Sequence, residues 1–293
     1  MPIKHSGLDR FLLALNAILL TLAVLIVVLP LLYIIVASFM DPSVLLSRGL
    51  SFKVSDWTLD GYQKILSNPA MVRGFGNAVL YSISFSFITV IVSVFAGYAL
   101  SDERLKGRRF FMTLFLITLF FGGGLIPTYL LVKNLGLIDT IWAIIIPGAV
   151  NVWNIILSRT FFKGVPNELK EAANVDGASE MKIFFQIVLP LSKPIIFVLA
   201  LYAFVGQWNS YFDAMIYLDN PNLHPLQLVL RSILIQNQVD PGMISDQLAM
   251  AEMKRLSEII KYAAIVISSL PLVIMYPFFQ KYFEKGVMVG SLK

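Results

Sequence analysis

The sequence contains no cysteine and only two histidines, so several kinds of chemistry have little support in it. Without cysteine the chain has neither disulfides nor thiol catalysis. The two histidines, His5 and His224, lie far apart in the chain, which argues against a metal cluster. No GxSxG motif occurs and no pair of carboxylates lies in an apolar segment. We therefore expect neither a hydrolase acting within a membrane nor a cofactor held by this chain.

Charge is also scarce, at 14% of residues against 57% hydrophobic residues, and the mean hydropathy of +0.77 is high for a soluble domain. A helix needs about 20 mostly apolar residues to span a bilayer. Six uncharged windows meet this need, and their runs are continuously apolar rather than alternating. The sequence therefore predicts an all-α polytopic membrane protein with six transmembrane helices, at Asn16–Phe39, Asn77–Leu100, Phe111–Val132, Ile141–Ser158, Pro194–Phe212 and Tyr262–Phe279.

The distribution of lysine and arginine predicts how these spans are oriented. If the N-terminus is cytoplasmic, 14 of the 23 basic residues fall in the shorter set of inside segments. We therefore expect both termini in the cytoplasm. The predicted organisation begins with the N-terminus and first span (1–40) and an outer loop (41–76). A core follows (77–283), with a cytoplasmic loop at 159–193 and a second outer loop at 213–261, and the chain ends in a tail (284–293).

The first span follows a short basic region, as a signal peptide does. Its apolar run exceeds twenty residues and no small-x-small cleavage site follows it, which favours a retained anchor with a kink at Pro30. The net charge of +5 lies mostly on the predicted inner side. Contact with anionic membrane lipid explains that charge, so we expect no nucleic-acid partner.

A polar stretch between the fourth and fifth spans, within 159–193, predicts two short helices joined by a turn. Asn167 suits an N-cap, Glu168 and Glu171 suit the positive end of a helix, and Leu169, Ala172 and Ala173 share one narrow apolar face. Gly177 permits the left-handed conformation that ends a helix. A second helix follows, capped by Ser179, packing through Ile183, Phe184, Ile187 and Val188, and stopped by Pro190 and Pro194. An amphipathic loop lying on the lipid surface is the alternative.

Residues 171–190 also match the spacing EAA-x3-G-x9-I-x-L-P at every position. This resembles the EAA loop of ABC-importer permeases, in the Asp176-Gly177-Ala178 form common among carbohydrate importers. The resemblance implies a type I ABC importer permease fold, with the first short helix docking into a cleft of an ATPase subunit. The implied coupling residues are Glu168, Glu171, Ala172, Ala173, Asp176, Gly177 and Pro190.

The resemblance extends over nearly the whole chain, to the smaller permease of maltose-type systems in the bacterial inner membrane. The segments 121–127, 207–212 and 285–290 are similar to permeases for oligosaccharides and polyuronates, and most of all to the shorter permease of alginate-oligosaccharide importers. The implied partners are a second homologous permease, two ATPase subunits, an extracytoplasmic binding protein and an oligosaccharide. A second ATPase contact is implied at Lys285, Gly286 and Gly290, with a frayed terminus as the alternative.

No GxxxxGK[ST] motif occurs, so we expect a separate subunit to hydrolyse ATP and this chain not to be an enzyme. The main competing function is an ion-coupled secondary transporter. Uncharged spans argue against a proton relay, although Gly122–Gly124 could break a helix and form a sodium site. A structural or sensory membrane protein that carries the same loop is a third possibility.

Polar residues recur at helical spacing in three spans. Span two has Ser82, Ser86, Thr89 and Ser93, span four has Asn151, Asn154 and Ser158, and span five has Tyr202, Gly206, Asn209, Ser210 and Asp213. Such stripes are typical of helix packing, but buried amides need partners and indoles can stack on sugars. The candidate translocation-pathway residues are Asn151, Trp153, Asn154, Trp208, Asn209 and Tyr211.

The outer loop at 213–261 is far longer than adjacent helices need. Its leucines and isoleucines between 226 and 235 give it enough apolar surface to fold over the outer mouth of the bundle. The resemblance implies contact with the binding protein. A lid that packs on its own spans is the alternative.

Overall fold

The structure is a computed structural model, and it describes residues 6–236 and 260–280. Those residues are mostly helical and contain no β strand apart from an isolated bridge between Met40 and Trp57. The predicted all-α fold class is confirmed. The described residues fall into two compact units, one made of 6–68, 233–236 and 260–269 and the other of 69–232 and 270–280.

The first unit begins with a single long helix, α1 (Gly7–Ala37). Its N-terminus is closed by a capping box, because Ser6 and Asp9 each accept a hydrogen bond from the other's backbone N–H. The helix continues through Pro30, and residues 7–33 are all exposed although most are apolar. Such a surface suits lipid. The unit continues with α2, a 3₁₀ turn and α3, at Pro42–Arg48, Val54–Asp56 and Asp60–Ser67.

The second unit is organised around α4 (Pro69–Ser101), which packs along α8 (Val152–Lys163) and α12 (Lys193–Trp208). A serine of α4, Ser86, donates a hydrogen bond to the Ala200 carbonyl of α12 at 2.8 Å. The other α-helices up to residue 236 are α5 to α14, at Arg108–Phe120, Leu125–Asn134, Trp142–Ile145, Val152–Lys163, Asn167–Val175, Glu180–Ile183, Leu189–Leu191, Lys193–Trp208, Phe212–Tyr217 and Leu226–Gln236. A π segment (Phe184–Val188) lies between α10 and α11, and a 3₁₀ turn (Pro221–Leu223) between α13 and α14.

Three helices within 6–236 and 260–280 are long and apolar enough to cross a membrane: Gly7–Ser38, Pro69–Ser101 and Ile260–Gln280, the last called α15. Two bent helix pairs raise the number to five if each pair counts as one span. The predicted fourth span is absent from this set because it is divided into α7 and α8, with Pro147 and Gly148 between them. The predicted number of six spans therefore stays a prediction.

The predicted third span is broken at its glycine run. Helices α5 and α6 meet at 114°, and Gly124 has φ of 83°, in the left-handed region that favours glycine. The sequence predicted one third span and identified Gly122–Gly124 only as a run that could break a helix; that break is present. It leaves α6 to pack through Val132 against Ile144 and Tyr217, at the same end of the second unit as the start of α4.

Candidate functional site

The EAA stretch folds into a compact element that we call the knuckle, residues 164–192. Its first helix, α9, ends in a turn where Gly177 has φ of 74°, and the Ala178 N–H returns to the Ala173 carbonyl at 2.9 Å. Ser179 then caps α10 by accepting from the Lys182 N–H. The prediction that Asn167 is the N-cap of α9 is wrong. Pro166 holds that position with extended backbone, and Asn167 is already helical.

The inner face of the knuckle is anchored in an apolar core. Ile183, Phe184 and Val188 are at most 2% exposed, and Phe184 packs against the ring of Tyr98 from α4 at 4.7 Å between centroids. The π segment ends two residues before Pro190, which has no N–H to continue the α-helical hydrogen bonds. Fully buried Ser192 closes the element by donating from Oγ to the Val188 carbonyl at 2.7 Å.

The outer face of the knuckle is exposed and carries a short apolar strip. Leu169 is 42% exposed and Val175 is 89% exposed, with Ala172 also exposed between them. The predicted face of Leu169, Ala172 and Ala173 is corrected in one respect: Ala173 turns inward and joins the core, because neighbours on a helix differ by about 100°. The polar candidates Glu168, Glu171, Asp176 and Gly177 are exposed as well.

Val175 was missed by sequence reasoning. The available signal was an isolated valine between Asn174 and Asp176, in a stretch that is otherwise polar.

Ion pairs join the knuckle to the loop that connects α4 and α5. Arg104 binds Asp102 at 2.9 Å and reaches Glu180 of α10 at 3.1 Å. The hydrogen bond from Arg104 holds the pKa of Asp102 below its usual value. Glu103 faces Lys163 at 3.7 Å, where the chain enters the knuckle. We call Asp102, Arg104 and Glu180 the ionic clasp. Sequence reasoning missed it because its members are up to 78 positions apart.

A cavity of about 380 Å³ lies beside the clasp. Tyr98 and Phe162 line its apolar side, and Glu171 and Asn174 of α9 line its polar side. Lys170 projects over the Tyr98 ring, with its Nζ 5.5 Å from the ring centroid. The cavity separates part of α9 from the end of α4. The outer surface of α9 remains exposed.

The polar stripe of span two is a packing seam. Ser82, Thr89 and Ser93 are fully buried, and Ser86 bonds to α12. The seam is tightest at Gly97, where an added Cβ would lie 2.5 Å from Ser158 Oγ and 2.8 Å from the Arg159 amide of α8. Small residues on this face of α4 therefore allow close approach of α8, as in other membrane helix pairs.

The asparagines of span four separate into two environments. Asn151 is exposed and caps α8, with its Oδ1 accepting from the Asn154 N–H at 3.0 Å. Trp153 is 59% exposed, whereas Asn154 is 6% exposed. The prediction that Asn154 faces a pathway is not supported by this burial, since its position is that of a seam residue.

The polar stripe of span five lies on an exposed face of α12. Tyr202, Gly206 and Asn209 are exposed, and Tyr211 just beyond the helix is 38% exposed. The Nδ2 of Asn209 donates a hydrogen bond to the Val205 carbonyl at 2.8 Å, and the residue as a whole is exposed.

Trp208 differs from its neighbours on this helix. It is 1% exposed, between Phe75 at 5.5 Å and Phe204 at 6.0 Å. The prediction that the Trp208 indole stacks on a sugar in the pathway conflicts with this aromatic packing.

The ordered segment at 219–224 was not predicted in any detail. Asn77 of α4 donates from Nδ2 to the carbonyls of Asn222 and His224, and Tyr81 donates to the Leu223 carbonyl at 2.9 Å. Asp139 accepts the N–H groups of 219 and 220 at 3.0 and 2.8 Å. The predicted contacts of Lys285, Gly286 and Gly290, and the outer loop from 237 to 259, lie outside the described residues.

Comparisons with known proteins found one matching family and several similar proteins. The family described as "Binding-protein-dependent transport system inner membrane component" matches residues 70–289. The chain is 39% identical to Protein LplC of Bacillus subtilis over 268 residues, covering 92% of this chain and 90% of that protein. It is 38% identical to the polygalacturonan/rhamnogalacturonan transport system permease protein YtcP of Bacillus subtilis over 273 residues, covering 92% and 93%.

A solved structure is similar over almost the full length. It is a chain of a bacterial ABC transporter involved in the import of the acidic polysaccharide alginate, with a TM-score of 0.84 and 31% identity. The match covers 96% of this chain and 99% of the other.

Proposed function

The chain belongs to the family of binding-protein-dependent transport system inner membrane components, and we propose that it forms half of the translocation pathway of an ABC importer for oligosaccharides. Its partners would be a second homologous permease, two ATPase subunits and an extracytoplasmic binding protein. Family members are permease components rather than enzymes, and the sequence has no phosphate-binding loop. Family membership also removes the main support for an ion-coupled secondary transporter.

The two-faced knuckle carries the coupling part of the proposal. Its inner side packs through Ile183, Phe184 and Val188 into a core shared with α4 and α12, through which a push on α9 would be transmitted to those helices. Its outer side presents Ala172, Val175 and Glu171 on a helix narrow enough for a protein cleft. Closure of the ATPase subunits on binding ATP would thus tilt the transmembrane helices. The translocation pathway between the two permeases would then open to one side of the membrane at a time.

The exposed polar face of α12 carries the pathway part of the proposal. Tyr202, Gly206 and Asn209 are exposed in this chain, whereas the serines of span two are buried in a seam. An unpaired amide in hydrocarbon costs several kcal/mol, about 4–8 in the absence of any partner. Asn209 is therefore better placed against a wet cavity or the partner permease than against lipid. Asn151, Trp153 and Tyr211 share its exposure.

We propose acidic oligosaccharides, of the alginate or other uronate type, as the substrate class. Two observations support this: a relative at 38% identity is named for polygalacturonan and rhamnogalacturonan transport, and the similar solved structure belongs to an importer of an acidic polysaccharide. With the N- and C-termini in the cytoplasm, the knuckle would face the ATPase subunits and the segment at 218–225 would face the binding protein.

The test is reconstitution of the complete complex in proteoliposomes. ATPase activity and sugar uptake are measured with the binding protein loaded with oligouronates or with neutral oligosaccharides. We expect stimulation of ATP hydrolysis and uptake by the loaded binding protein, with oligouronates preferred. Uptake driven by an ion gradient in the absence of the ATPase subunits would contradict the proposal.

A further inference from the structure

Arg231 of α14 has an unusual environment near the outer end of α12. Its guanidinium carbon lies 5.1 Å from the centroid of the Tyr211 ring, a cation–π contact. One of its nitrogens, Nη1, donates to Met215 Sδ at 2.8 Å. The arginine is half-buried and Tyr211 is 38% exposed, so both can be reached from outside the chain.

The contacts of Arg231 leave most of its hydrogen-bonding capacity unused. A guanidinium has five N–H donors, and a thioether sulfur is a weak acceptor. Within 6–236 and 260–280, Arg231 forms no salt bridge with a carboxylate. The ring and the sulfur hold the planar cation in place without neutralising its charge, so it is oriented in advance for an anionic ligand.

Asp213 is the acid on α13, the helix that carries Met215, and it faces another way. Met215 lies two positions beyond it, about 200° around the helix, whereas Tyr217 lies four positions on and shares its side. Burial raises the pKa of the Tyr217 hydroxyl, and the negative charge of Asp213 adds to that rise. Desolvation by the surrounding protein raises the pKa of the Asp213 carboxyl. Asp213 is thus associated with Tyr217 rather than Arg231.

We infer that Arg231 and Tyr211 form a recognition site for the carboxylate of a uronate residue in the translocating oligosaccharide. The inference rests on the proposed function and names the residues that would select an acidic sugar over a neutral one. The Arg231 fork matches the two oxygens of a carboxylate. Tyr211 is 38% exposed, and a tyrosine side chain combines an apolar ring with a hydroxyl, both of which suit a sugar ring. Asn209, two positions before Tyr211, is exposed at the end of α12 and can pair with a sugar hydroxyl.

The same chemistry explains why Arg231 would discriminate rather than simply bind. A neutral sugar replaces the carboxylate with a hydroxymethyl group, which cannot accept two parallel hydrogen bonds. Loss of a charge-assisted hydrogen bond is expected to weaken binding roughly tenfold or more. Lysine keeps the charge at position 231 but loses the planar fork, so Arg231→Lys should retain only part of the preference.

The experiment measures equilibrium binding of trigalacturonate and of its carboxyl-reduced neutral counterpart to the complete complex in nanodiscs, without the binding protein. Uptake with the binding protein is measured in parallel. The variants are Arg231→Gln and Arg231→Lys, with Lys133→Gln as a control that removes one positive charge from another exposed position on the predicted outer side. Complex yield is recorded for each.

We expect wild type and Lys133→Gln to bind trigalacturonate at least roughly tenfold more tightly than the neutral sugar. Arg231→Gln should abolish that preference at normal yield, and Arg231→Lys should fall between them. Equal binding of both sugars by wild type, or an Arg231→Gln effect of the same size on both, would overturn the inference while uptake could still support the proposed function. Absence of any oligosaccharide uptake by wild type would instead refute the proposed function and the inference with it.

Discussion

At the residue scale, two glycines are required for different physical reasons. Gly177 has φ of 74°, and a Cβ added there would meet nothing within 4 Å, so its requirement is conformational. Gly97 has no unusual φ, and a Cβ added there would collide with α8. Sequence inspection identified the first because it stands in a motif. It did not identify the second, because close approach between helices is a property of the packed structure.

Substitution of Gly177 tests the turn of the knuckle. Gly177→Val should disturb the turn at a cost of about 1–2 kcal/mol, because a β-branched residue is disfavoured in the left-handed region. Sugar uptake should fall while the complex still assembles. Gly177→Asn is the matched control, since asparagine tolerates this conformation and should keep most of the uptake. Equal uptake by both variants would show that the turn is not needed.

Substitution of Gly97 tests the seam instead. Even Gly97→Ala places an atom 2.5 Å from Ser158 Oγ and 2.8 Å from a backbone nitrogen, so α4 and α8 must move apart. We expect destabilisation of about 1–3 kcal/mol and lower complex yield. Gly76→Ala, at an open position of the same helix, should be neutral. Thermal unfolding in detergent provides the measurement, and an unchanged transition for Gly97→Ala would refute the close packing.

At the element scale, we expect opposite effects on complex yield and uptake from substitutions at the polar residues of α8 and α12. Asn154 is buried, so Asn154→Ala should lower complex yield by leaving a cavity where α8 packs. Asn209 is exposed, so Asn209→Ala should assemble normally and change uptake. The two variants are compared for yield and for uptake per assembled complex. A fall in yield for Asn209→Ala with normal uptake per complex would make it a packing residue.

The ionic clasp is an element-scale contact between the α4–α5 loop and the knuckle. Its members are mostly exposed, so each pair contributes little to stability. We expect its effect on coupling: Arg104→Glu should raise the ATP hydrolysed per sugar imported, and the exchange Arg104→Glu with Glu180→Arg should partly restore the ratio. Arg108→Glu, which breaks a pair outside the knuckle, is the control. A normal ratio in Arg104→Glu would contradict the clasp.

The clasp also has a defined dependence on pH. Arg104 lowers the pKa of Asp102, so ionised Asp102 is favoured in the folded protein. Its contribution is therefore complete above the unfolded pKa of about 4 and is lost as pH falls through the lower folded value. Asp102→Asn should remove this acid-side component from the pH dependence of unfolding. Above pH about 5 the ionisation of Asp102 should add no pH dependence to the stability of the wild type.

Much of the arrangement could be read from the sequence, and the failures share a cause. The helical class, the knuckle turn at Gly177 and the break at Gly122–Gly124 follow from local composition and spacing. The inward turn of Ala173 and the burial of Trp208 do not, because each depends on which neighbours pack against it. Periodicity shows that residues share a face but not whether that face meets protein, water or lipid.

At the scale of the whole molecule, the orientation in the membrane rests on the distribution of basic residues and can be tested directly. The chain has no native cysteine, so single introduced cysteines give a clean background. Val175 in the knuckle is 89% exposed and Val54 in the first predicted outer loop is 86% exposed, which makes them a matched pair. A membrane-impermeant maleimide added to intact cells should label Val54→Cys and leave Val175→Cys unlabelled. Inverted membrane vesicles should give the opposite pattern, because the knuckle then faces the reagent. Labelling of Val175→Cys in intact cells would reverse the predicted orientation and place the knuckle on the wrong side for an ATPase.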